Sequence, residues 1–142
     1  MKKSTDDLMK ILRSKSSVGE YFDENDSEIF FGNLSELIDF FMVRKGLTKA
    51  KVVRRSGMNR GYCYEIIGGK TPKNISPDKV IMLCFGLTLT VDESQQLLKK
   101  SGYAPLYARD TRDSIIIFCL ENHISIVNTN IKLGEYNLEP LE

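Results

Sequence analysis

The chain has 142 residues, 42% of them hydrophobic, and its 20 Lys and Arg against 19 Asp and Glu leave a net charge of +1. That length and apolar content suit one compact domain with its own core, plus a looser arm. No apolar run approaches the roughly 20 residues needed to span a bilayer, so a membrane-spanning helix is excluded. Met1-Lys2-Lys3 leads into Ser, Thr and two Asp instead of an apolar stretch, and no signal peptide is expected. Cys63, Cys84 and Cys119 are odd in number and lie in apolar helical contexts. They read as reduced, buried small hydrophobes of a cytoplasmic protein. Together with the lone His123 they lack the clustered spacing of a metal site, so no metal and no cofactor is expected.

In chain order, residues 6–13 carry Leu8, Ile11 and Leu12 at helical spacing, 14–19 read as a polar hinge, and 23–28 form an acidic patch before Ile29-Phe30-Phe31. A helix this short is marginal alone, so 1–33 is an arm, either frayed or docked on something apolar. Asn33 opens the next helix, with Glu36 placed for a capping box and Leu37, Ile38, Phe41 and Met42 on its inner face. Thr48 then caps a short helix with Val52 and Val53 inward, which Gly57 ends in the left-handed conformation. Asn59 caps a second short helix with Tyr62, Cys63, Ile66 and Ile67 inward, closed at Gly69. Two short helices meeting through a glycine turn form a helix-turn-helix unit, whose second helix, about 59–68, can enter a DNA major groove.

Ser76-Pro77-Asp78 is a strong helix start, with Val80, Leu83, Cys84 and Leu87 inward. Thr90 and Glu93 make a second capping box ahead of Leu97 and Leu98, and that helix stops at Gly102. Residues 103–110, with Pro105, form a connector. The apolar run 115–120 suits a buried strand or a buried helix; Asp110 or Thr111 as a cap and Glu121-Asn122 as an ending favour the helix. A helix apolar on every side needs cover on every side. The following helix, 125–134 with Ile126, Ile131 and Leu133, supplies part of it. The remainder comes either from the preceding helices or from a second copy of the chain. A homodimer would set two motifs roughly 34 Å apart, one turn of a palindromic duplex. Both packings stay open.

Charge is unevenly spread. Residues 44–73 hold nine Lys and Arg against Glu65 alone, a net +8, while 1–43 carry −4 and 74–142 carry −3. The positive field is thus gathered on the segment shaped for a groove, the electrostatic footprint of a nucleic-acid binder.

These residues resemble the Cro/CI-type helix-turn-helix regulators of bacteria and phages, the XRE family. Leu47-Thr48 opening the first helix, Gly57 in the turn, Cys63 and Ile66 inward, and Gly69-Lys70 closing the second helix carry the likeness. A subgroup with a helical C-terminal extension is resembled through 62–66, through Gly102-Tyr103-Ala104-Pro105-Leu106-Tyr107, and through Arg112-Asp113 before the apolar run. The resemblance implies an all-α fold: a five-helix Cro/CI-like domain over 34–102, an N-terminal arm over 1–33 and a helical extension over 103–142. It implies base-reading positions at Arg60, Gly61, Tyr64 and Glu65. Three positions depart from the family: Lys49 stands where Gln is usual, Val53 where a small Ala is usual, and Ile67 where Glu is common.

Arg60 suits guanine O6 and N7, Glu65 suits cytosine N4, and Gly61 offers nothing to a base edge. Tyr62 and Tyr64 suit a thymine methyl, a phosphate or a protein surface. The expected DNA-binding set is Lys49, Arg54, Arg55, Asn59, Arg60, Tyr62, Tyr64, Glu65, Lys70 and Lys73, with the lysines and Arg54 and Arg55 on phosphates. The expected function is sequence-specific binding of double-stranded DNA as a transcriptional regulator. The alternative is a protein-interaction module on a degenerate helix-turn-helix scaffold, with a protein partner in place of DNA. No catalytic residues are expected: Gly68-Gly69-Lys70-Thr71 resembles the end of a P-loop, but Tyr64 occupies the first motif glycine's place. An acidic arm is also suited to covering the basic face as a switch, which deletion of 1–33 would relieve.

Overall fold

A computed structural model describes residues 33–70 and 75–142. The expectations for the arm, for its switch role and for Lys73 lie outside the described residues. Asn33–Glu142 form one compact unit. Among the described residues it is all helical: α1 (Leu34–Lys45), α2 (Lys49–Ser56), α3 (Arg60–Ile67), α4 (Pro77–Gly86), α5 (Val91–Lys100), α6 (Thr111–Glu121) and α7 (Ile126–Glu135). None is long and apolar enough to cross a membrane.

Each helix starts where a short polar side chain takes an orphan N–H. Asn33, Thr48, Asn59, Ser76, Thr90, Asp110 and Ser125 all accept from the backbone N–H three residues on. At Thr90 the box is reciprocal, because Glu93 also accepts from the Thr90 N–H at 2.9 Å. Gly57, at φ 71°, ends α2 in the left-handed region that glycine enters without steric penalty.

The centre of the fold is α4. Val80 through Gly86 are all buried, and α4 packs against both α2 and α5. A Cβ on Gly86 would stand 2.6 Å from the Val52 carbonyl oxygen and 2.9 Å from the Ser56 Cβ. Glycine therefore lets the α2 backbone lie directly on α4. Ser56, fully buried at that contact, donates to the Val53 carbonyl (2.8 Å) and accepts from the Met58 N–H (3.2 Å), so its hydroxyl is satisfied. α1 lies against α3 and α5. There Ser35 Oγ donates to the Ile67 carbonyl at 2.8 Å, and Lys45 Nζ meets Glu93 at 2.9 Å.

The apolar run 115–120 is helical, within α6, and α7 folds back on it. α6 buries Ile116, Cys119 and Leu120 but leaves Phe118 51% exposed. On α7, Ile126, Thr129 and Leu133 face inward, and Ile131, expected inward, is 56% exposed. The reason is angular: five residues past Ile126 is roughly 140° around a 3.6-residue turn. The last residues are pinned back onto the helices. Arg112 forks onto both Asp78 oxygens (3.0 and 2.9 Å) and donates to the Glu139 and Pro140 carbonyls. Asn130 bonds both the N–H and the carbonyl of Leu141, whose side chain is buried.

Candidate nucleic-acid interface

α2 and α3 are eight residues each and are joined by Gly57-Met58-Asn59, with Met58 buried beneath the turn. α2 buries only Val52 and Ser56. Its other faces present Lys49, Lys51, Arg54 and Arg55 to solvent, and Val53 is half-buried instead of fully inward. α3 is held from below by Cys63, Ile66 and Ile67, all buried, and at its end by the Ser35 bond to Ile67. Arg60 and Glu65 are both exposed on α3, roughly 140° apart around the helix, with Tyr64 half-buried between them. The Arg60 guanidinium sits 5.3 Å from the centre of the Tyr64 ring, so these two expected base readers form one cation–π unit.

Other expected residues have additional roles. Asn59 caps α3, its carboxamide oxygen accepting from the Tyr62 N–H at 3.1 Å. Tyr62 is half-buried under the Lys79 ammonium, 5.7 Å from its ring centre. Burial first, then nearby Tyr103 and Glu65, push its hydroxyl above the usual tyrosine value, so it stays a neutral donor near pH 7. Tyr103 in turn donates its hydroxyl to the Ile75 carbonyl, which fixes the approach to α4. Lys79 and Tyr103, 17 and 41 residues beyond Tyr62 in the chain, were not legible as its neighbours; only tertiary packing joins them. Lys70 is exposed just beyond α3.

The field of the segment is trimmed at one edge. Lys45, counted in its +8, is paired with Glu93 and also donates to the Thr88 carbonyl at 3.3 Å. Arg44 lies over the Phe40 ring at 5.6 Å. By contrast, Lys49, Arg54, Arg55 and Lys70 are in none of the ion pairs among the described residues, which are Lys45–Glu93 and Arg112–Asp78. Four exposed cations therefore flank α3 with their charge uncompensated by those pairs. Among the described residues no group of three or more His, Cys, Asp or Glu is placed to hold a metal ion. No protein-family model, no curated protein and no solved structure matches the chain, so its functional reading rests on the side chains just described.

Proposed function

We propose that this chain binds double-stranded DNA as a sequence-specific transcriptional regulator of the Cro/CI-like helix-turn-helix type, working in the cytoplasm. α3 enters the major groove and α2 lies across the backbone. The observation that carries this reading is the set of exposed cations Lys49, Arg54 and Arg55 on α2, outside the ion pairs of the described residues and adjoining a helix that exposes both Arg60 and Glu65. Cations held this way release condensed counterions when they meet phosphates, which favours binding to any duplex. Arg60 and Glu65 add discrimination through guanine and cytosine edges.

The test is selection from a random duplex pool across a salt series, then comparison of two variants on the enriched site. Arg60→Ala should weaken the selected site by about 1–3 kcal/mol and leave random DNA nearly unchanged. Lys49→Ala should weaken both alike and lower the salt slope by about one. Equal losses on both DNAs with Arg60→Ala would remove it as a reader. The Arg60–Tyr64 stack and Gly61 favour the second reading, a protein-interaction module, and no DNA retention at low salt would select it.

A further inference from the structure

A cavity of about 560 Å³ opens beneath the C-terminal end of α2, within the roughly 300–1,000 Å³ typical of small-molecule sites. Its apolar walls come from three places: Phe85 at the end of α4 with Leu89 just beyond it, Leu120 at the end of α6 with Ile124 just beyond it, and Ile126 and Val127 at the start of α7. Its charged and titratable side chains, cysteines aside, are Arg54, Arg55 and His123, and no Asp or Glu lines it. Both arginines stand outside the ion pairs of the described residues.

We propose that this cavity binds a small organic anion, a carboxylate on an aliphatic or aromatic body, with its head group held by Arg54 and Arg55. The chemistry divides the ligand. A guanidinium pairs with a carboxylate through parallel N–H···O bonds, and the apolar walls reward a hydrocarbon body that a bare inorganic anion lacks. Occupancy has a second effect, which rests on the DNA reading above. Arg54 and Arg55 are also the proposed phosphate anchors, so a bound carboxylate withdraws two cations from the duplex and lowers its affinity.

The experiment titrates the full chain with octanoate and with 1-naphthoate, using octanol as the uncharged control, and follows backbone amide shifts. Either acid should bind more tightly than octanol, with shifts clustered at Leu89, Leu120 and Ile126. Replacing both arginines (Arg54→Ala with Arg55→Ala) should weaken the acid by about tenfold, the equivalent of one charge-assisted bond, toward the level of octanol. Val127→Trp, at an exposed lining position, should obstruct the cavity and weaken acid and alcohol alike. Acids no tighter than octanol, affinity untouched by loss of the arginines, or shifts elsewhere would each overturn the site.

Saturating octanoate should also reduce the salt slope of DNA binding by about two. An unchanged slope with the cavity filled overturns the regulatory half. If the chain retains no DNA even without octanoate, the DNA reading fails, and the direct titration still decides the site.

Discussion

α2 and α4 pack against each other yet are used in opposite ways. α4 gives seven successive residues to the core, whereas α2 gives two and turns four cations to solvent. A helix that buries so little of itself has little packing of its own to fix its position. It rests on the helix beneath, where Val52 is fully buried and the two backbones come close at Gly86. The lesson is that the placement of a basic surface depends on a residue in the core that carries no charge and no side chain.

The largest effect should come from breaking that contact. Gly86→Val drives its Cβ against the Val52 carbonyl and the Ser56 Cβ, backbone and buried atoms that cannot swing aside. Denaturant unfolding should show a loss of about 2–3 kcal/mol, with amide shifts concentrated on α2. Next is Arg112→Ala, which acts at the opposite end of α4, where Asp78 lies in the first turn. The pair with Asp78 holds the guanidinium more firmly protonated than usual, but both partners are partly exposed. A loss of about 1–2 kcal/mol is expected, with faster amide exchange at Leu141 and unchanged shifts on α2. Shifts on α2 in this variant would mean that the two ends of α4 are not independent.

Gly57→Ala sharpens the comparison from the other side. It strains the left-handed residue ending α2 and brings a Cβ to 3.3 Å from Ile126 Cγ2, so about 1 kcal/mol of stability should be lost. The smallest effect concerns Glu93, which stands on α5 and belongs to neither helix. Burial pushes its carboxyl up, but the Thr90 N–H and the Lys45 ammonium outweigh this and hold it below the usual value. A lowered carboxyl favours the folded state above the ordinary glutamate range, and that contribution is lost as pH falls through the lowered value. Unfolding curves of the wild type and Glu93→Gln should therefore converge as the pH is taken down through that window.

How much of this was legible depends on the reach of each signal. Caps act over three residues, and Asn33, Thr48, Asn59, Ser76 and Thr90 were all readable as helix starts from the sequence, with Asp110 one of two candidates beside Thr111. The helical character of 115–120 followed from its flanking polar residues for the same reason. Which side of a helix is covered is a longer-range matter. Ile131 and Phe118 look like core residues by type, yet both are exposed, because Thr129 and Cys119 lie on the covered sides. The site divides likewise. The exposed cations of α2 were legible as a cluster of charge, but the diversion of Lys45 to Glu93 needs two residues 48 positions apart. The cavity was not legible at all, since its walls come from the ends of four helices.

The three cysteines offer a clock for the opening of this molecule. Cys63, Cys84 and Cys119 are free, fully buried, and sit on α3, α4 and α6. Burial, only partly offset by a hydrogen bond with Ser94, pushes the Cys84 thiol up to about 12, so almost none of it is thiolate at neutral pH. With all three sulfurs buried, a thiol reagent reaches each of them only when the packing around it opens. Labelling at Cys63 ahead of Cys84 would record α3 detaching while the centre stays closed, and simultaneous labelling would record the unit coming apart as a whole.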